Sequence, residues 1–168
     1  LFIKQKSIRQ SLYLFGAAAE YAYRTYGLTP VFVAVEKHLD PGAGQLAARG
    51  LTIPHYFLDD AGGAGTIIGA LSRMQAVVSM RLHALIFAAG QGIPLAGVVY
   101  DPKVSAFLRY IGQEQFVDLA ELTGQNLCAM IDQCVAQAAH PEAQAAAVRN
   151  LQAMEQKNVE VARRLLKG

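Results

Sequence analysis

The sequence contains no tryptophan and only two cysteines, Cys128 and Cys134, six residues apart. That spacing matches neither a Cys-x-x-Cys metal ligand pair nor the three- or four-residue step of helical neighbours. It predicts two buried free thiols in a reducing compartment. Charge is also scarce: 17% of residues are charged and the net charge is +2, with no lysine and arginine run. This excludes the basic surface of a nucleic-acid or anionic-membrane binder. No apolar run reaches the roughly 18 residues that a bilayer-spanning helix needs, so no transmembrane segment is expected. No signal peptide is recognisable, so a cytoplasmic protein is expected. No His-Glu-x-x-His, paired-histidine or Gly-x-Ser-x-Gly pattern occurs, so neither a metal site nor a serine nucleophile is expected.

What is present is apolar. Hydrophobic residues make up 53% of the 168, ample for one core and incompatible with disorder. The start at "LFIKQKS", with no initiator Met, leads to the expectation that the chain is part of something longer. Strand and helix patterns alternate along it. "LFIKQKSI" reads as a weak first strand, and "QSLYLFGAAAEYAYRTYG" as a helix closed by Gly27. "PVFVAV" reads as a strand buried on both faces. A short helix in "PGAGQLAARG" precedes the strand "TIPHYFL", where Pro54 points to a sheet edge. "TIIGALSRM" reads as a helix and "QAVVSM" as a strand. "RLHALIFAAGQG" is a helix with no wet face, hence buried. "PLAGVVY" is a strand, "PKVSAFLRYIG" a helix, "QFVDL" a short strand and "AELTGQNLCAMIDQCVAQA" a helix.

From Pro141 to the end runs one long amphipathic helix, with Val148, Leu151, Val159, Ala162 and Leu166 roughly on the face that packs on a core. About 26 helical residues extend ~39 Å, long enough to reach a further domain. The alternation predicts one α/β domain over residues 1–168, doubly wound around a mostly parallel, Rossmann-like sheet. Ligands bind such sheets at the carboxyl ends of the strands.

Two junctions at that edge place cations at helix amino-termini, where the dipole disfavours them by ~0.3–1 kcal/mol. "QAVVSM" is followed by Arg81, Leu82 and His83, and "GVVY" by Asp101, Pro102 and Lys103. A cation there becomes favourable when a shared anion sits in front of the free helical amides. Two such junctions suit a small polyanion such as a phosphate or phospho-carboxylate. The competing explanation is that Arg81 pairs with a carboxylate and His83 is a core-edge histidine. Asp101-Pro102 is also a helix cap, and Lys103 is equally well explained as a solvated lysine. Tyr100, which ends its strand, lies beside this cap.

Glu36, His38 and Asp40 follow the "VFVAV" strand and reach the same edge. Arg9, after the weak first strand, is another edge cation. "DDAGGAGT" lacks the order of a phosphate-binding loop and reads as a flexible turn. His55, among aromatics, and His140, beside Pro141, read as structural.

The stretch "VVSMRLHALIFAAGQGIPLAGVVYDPKVSAFLRYIG", Val77 to Gly112, resembles the polysaccharide pyruvyl transferase family. An Arg-Leu-His triplet opens a buried helix, and a Tyr-Asp-Pro-Lys turn follows. The resemblance implies a two-domain arrangement like that of glycosyltransferase-B folds, of which this chain would be the C-terminal, donor-binding half, the N-terminal domain being absent. It implies transfer from phosphoenolpyruvate to two hydroxyls of a sugar in a cell-wall or exopolysaccharide precursor, free or lipid-linked. The products are a pyruvate ketal and phosphate. Arg81, Leu82 and His83 would contact phosphoenolpyruvate, with Lys103 assisting at the phosphate.

His83 is the candidate general acid, and Arg81 the residue that grips the carboxylate or phosphate. Arg9, Glu36, Asp40, Tyr100 and Asp101 are further edge contacts. No cofactor or metal is expected, phosphoenolpyruvate being the donor substrate. This half alone is expected to be inactive. Two rival readings are a nucleotide-sugar glycosyltransferase or epimerase of the same architecture, with Glu36 on the ribose, and a non-catalytic interaction domain.

Overall fold

The computed structural model describes residues 2–60 and 62–167. The first element is a helix, α1 (Phe2–Tyr26). The weak strand expected over Leu1–Ile8 is therefore not formed: residues 2–8 belong to α1, and Leu1 lies outside the described residues. "KQKSIRQ" has no period-two alternation, and each residue added to an existing helix gains a hydrogen bond at little further cost. Gly27, at φ 68°, ends α1 in the left-handed conformation that glycine adopts without a Cβ penalty.

The rest alternates as expected. β1 (Val31–Val33), α2 (Asp40–Ala47) and β2 (Tyr56–Leu58) come first. α3 (Ala64–Leu71), β3 (Val77–Ser79), α4 (Leu82–Gly90) and β4 (Leu95–Val99) follow. Then come α5 (Pro102–Tyr110), β5 (Phe116–Asp118), a 3-10 turn (Leu119–Glu121), α6 (Gly124–Ala138) and α7 (Pro141–Lys167). The single helix expected over residues 120–138 is broken before Gly124. Thr123 and Asn126 form a reciprocal capping box there, with bonds of 2.9 and 3.2 Å, and this local bonding restarts the helix. "DDAGGAGT" is a turn into α3, with Gly62 and Gly63 both at positive φ; Ala61 lies outside the described residues.

Every strand pair is parallel, but the sheet is not continuous. β1 pairs with β2, and β3-β4-β5 form a separate sheet. β4 is buried throughout and sorts its side chains by face. Leu95 and Val99 join Leu85, Val104 and Leu108 from α4 and α5 in one core cluster. Ala96 and Val98 join Ala18 of α1 and Leu127, Met130 and Ile131 of α6 in the other. Helices thus cover both faces, the doubly wound arrangement.

Four expectations about burial are corrected. The β1 strand is only half-buried, because among the described residues its inner edge has no neighbouring strand. α4 does have a wet side: His83 is exposed and Ile86 is 39% exposed, since the helix packs mainly through Ala84, Leu85, Ala88 and Ala89, with Leu82 and Phe87 at the margin of the core. On α7, Leu151 packs on the first cluster, whereas Val159 is 44% and Leu166 87% exposed. The helix is 27 residues long and runs past the end of the core. Cys134 is buried, and its pKa is raised by burial to about 12, while Cys128 is only half-buried. No helix of the described residues is long and apolar enough to cross a membrane.

Candidate functional site

β1 and β3 end side by side across the gap between the sheets. Asp40 opens α2 after β1, and Arg81 precedes α4 after β3. Arg81 donates from Nε at 2.9 Å and Nη2 at 2.5 Å to the same oxygen, Oδ1 of Asp40. Oδ2 of Asp40 accepts from the backbone amides of Val35 at 3.0 Å and Glu36 at 2.8 Å. The carboxylate is therefore fully engaged, with its side chain 12% exposed against 34% for Arg81. Asp40 takes the guanidinium through Nε and Nη2, and Arg81 stays about one-third exposed. Burial pulls the Arg81 pKa down. The Asp40 bonds and charge, with the nearby Tyr100 hydroxyl, outweigh it, and the pKa ends above its ordinary value.

Arg81 is extended, at φ −85° and ψ 119°, and its side chain does not cap α4. Its amide donates to Ser79 Oγ at 3.0 Å, which fixes the turn from strand to helix. The first intrahelical bond runs from Leu85 N to Arg81 O. The amides of Leu82, His83 and Ala84 thus lie at an uncapped helix end, where the dipole is positive. α5 and α6 differ: Asp101 and Thr123 cap them. His83 is exposed on the first turn, with Phe87 as a ring neighbour at 6.3 Å.

The neighbouring strand β4 ends at Tyr100. Asp101 accepts from Lys103 N at 3.0 Å, and the exposed Lys103 ammonium lies 3.6 Å from the same carboxylate. Lys103 is thus drawn toward its own cap. Glu36 is exposed on the loop after β1. Lys37, which the sequence did not single out, bonds Asp60 at 2.9 Å. That bond, with the Gly62 amide, holds the Asp60 carboxyl below its ordinary value.

The structure therefore brings Arg81, Asp40 and Tyr100 together, with His83 at the adjoining helix start. It corrects the setting of Arg9, which lies inside α1 and follows no strand. It also shows that the carboxylate expected to compete for Arg81 exists. His55 is structural, as expected: its Nδ1 meets the Ile53 carbonyl at 2.8 Å, and its ring packs edge-on to Phe32 and Phe57. Among the described residues no group of three histidine, cysteine or acidic side chains is gathered to hold a metal.

Residues 16–102 match the family model described as polysaccharide pyruvyl transferase. The match covers just over half of the 168 residues. The chain belongs to the polysaccharide pyruvyl transferase family. The matched span holds β1 to β4, Asp40, the Arg81-Leu82-His83 triplet, Tyr100 and Asp101, and stops one residue before Lys103. No curated protein and no solved structure matches the chain.

Proposed function

We propose that this chain is the donor-binding half of a ketal-forming pyruvyl transferase, with phosphoenolpyruvate as donor and a saccharide as acceptor. The observation that carries the reading is the Arg81 guanidinium beside an uncapped α4 amino-terminus, held by Asp40 through Nε and Nη2. A dianionic donor finds there one bidentate-capable cation and a cluster of backbone donors, and it needs both.

The reaction balances without an added oxidant or cofactor. C3 of the donor gains a proton, and C2 takes on oxocarbenium character. One sugar hydroxyl oxygen attacks C2, the C2–O bond to phosphate breaks, and a second hydroxyl closes the ketal. Of the two hydroxyl protons, one is balanced by the new methyl group and one leaves with phosphate. His83 is accessible and suited to deliver the proton to C3. Arg81 binds the donor carboxylate or phosphate, and Lys103 assists from the neighbouring strand end. Asp40 is a positioning residue that orients Arg81. The acceptor side, on this reading, comes from an N-terminal domain in a glycosyltransferase-B-like pair, acting on a cell-wall or exopolysaccharide precursor in the cytoplasm.

Calorimetric titration with phosphoenolpyruvate, with and without Arg81→Ala, tests the proposal. Binding that disappears in the variant, with no response to a uridine diphosphate sugar, is the expected result. Binding of the nucleotide sugar in place of phosphoenolpyruvate would overturn it and favour a glycosyltransferase, with the exposed Glu36 on the ribose. If the chain alone binds neither, the same titration on the full-length enzyme decides, and silence there rejects the reading.

A further inference from the structure

The gap between β1 and β3 is a cavity of about 300 Å3, many times the room that one water needs. Apolar side chains line it, among them Leu12, Phe15, Val33, Leu71, Val77 and Ile131. The backbone register shows what the two strands present to it. Tyr56 N donates to Pro30 O and Ala34 N to Leu58 O, so the even-numbered residues of β1 turn their peptide groups to β2. Val31 and Val33 turn theirs to the cavity. Val77 N donates to Pro94 O, so Val78 of β3 likewise faces the cavity. Neither edge has a strand partner among the described residues. Peptide groups facing an apolar cavity without partners are costly. Both edges run the same way, because their carboxyl ends meet at the Asp40–Arg81 pair.

The helices indicate what belongs there. α2 joins β1 to β2, α3 joins β2 to β3, α4 joins β3 to β4 and α5 joins β4 to β5. α1 feeds β1 and lies over the cavity through Leu12, Phe15 and Ala18, yet no strand leads into it among the described residues. A crossover helix packs over the two strands that it links. α1 packs directly on α2, where a Cβ on Gly16 would come within 2.1 Å of the Ala47 carbonyl oxygen. Both crossovers therefore lie on one face and share one hand.

We infer that the slot receives an extended apolar segment that precedes α1 in the full-length protein, paired in parallel with β1 on one side and β3 on the other. The sheet then becomes continuous in the order β2-β1-segment-β3-β4-β5. The order of connection reverses between the segment and β3. Ligands bind at such reversals, so the loop leaving the segment emerges beside Arg81 and completes the edge of the site. The inference does not depend on what that site binds.

Two measurements on the full-length protein test it. Hydrogen exchange at the Val31, Val33 and Val78 amides is expected to be roughly a hundredfold slower than in the 168-residue chain alone, as befits paired core strands. In a background with Cys128→Ser and Cys134→Ala, Val31→Cys and Val77→Cys are expected to stay unlinked on mild oxidation. An intervening strand keeps their Cα atoms ~10 Å apart, beyond the roughly 7 Å that a disulfide spans. Rapid disulfide formation would overturn the inference by showing that β1 and β3 close on each other. Equal exchange in the two proteins would overturn it as well. So would protection of the 168-residue chain that rises with its concentration, which would assign the slot to a second copy.

Discussion

Asp40 and Arg81, 41 residues apart in sequence, close the carboxyl end of the gap between the two sheets through a carboxylate whose second oxygen is held by the Val35 and Glu36 amides. The amides orient the acid, and the acid orients the base. An arginine reaching alone over this edge would sample many rotamers; here Asp40 holds its Nε and Nη2 in one geometry.

Asp40→Asn removes the charge and replaces one acceptor oxygen with a donor that the neighbouring amides cannot use. We expect a loss of about 1–3 kcal/mol in urea unfolding, in the range for a half-buried charged hydrogen bond rather than a fully buried pair. In the full-length enzyme the KM for the donor should rise more than kcat falls, and Asp40→Glu should restore part of the loss. A variant with unchanged KM would show that the pair is structural only.

His83 is exposed and takes part in neither core cluster. His83→Gln should leave the melting temperature within a degree or two while reducing full-length turnover about 10²–10⁴-fold, the usual contribution of a general acid. Near-normal turnover would remove His83 from that role.

Gly16→Ala should be destabilising although alanine favours helices. The added methyl would lie 2.1 Å from the Ala47 carbonyl oxygen, a backbone atom that cannot swing aside. Separating α1 from α2 should cost about 1–3 kcal/mol, read as a lower denaturation midpoint. The exposed Gly69→Ala, with nothing within 4 Å, should be neutral or slightly stabilising by comparison.

Tyr21 and Tyr26 both donate to Oδ1 of Asp132, at 2.8 and 2.7 Å. The bond to Asp132 raises the Tyr26 pKa to about 12, with burial and the carboxylate's charge adding to it. An unfolded chain releases this proton near pH 10, so above that the folded state holds more protons than the unfolded one. The contribution to stability is complete below pH 10 and is lost as pH rises toward 12. Ultraviolet titration should show late phenol ionisation that Asp132→Asn moves back toward pH 10.

Much of the local structure was legible in the sequence because its causes are local. The continuous apolar run "PLAGVV" and its flanking turns predict β4. Asp101-Pro102 predicts the start of α5, and Gly27 the end of α1. The Arg81-Leu82-His83 triplet and its strand end were legible for the same reason. The expected first strand fails because eight residues of mixed character carry no period strong enough to separate the start of a helix from a strand. The capping box at Thr123 and Asn126 was present in the sequence as a Thr-x-x-Asn signal, and the apolar pattern around it hid it.

The alternation of elements, the parallel α/β class and the placing of Arg81, His83 and Lys103 at strand ends can all be read from the residues in order. Each of these follows from short-range periodicity, capping and the direction of the chain. That Arg81 is held by Asp40, and that the sheet is divided between β1 and β3, came from the folded chain alone. Those outcomes depend on which distant segments meet. One-dimensional spacing does not encode such meetings; they are set by how the helices share the two faces of the sheet.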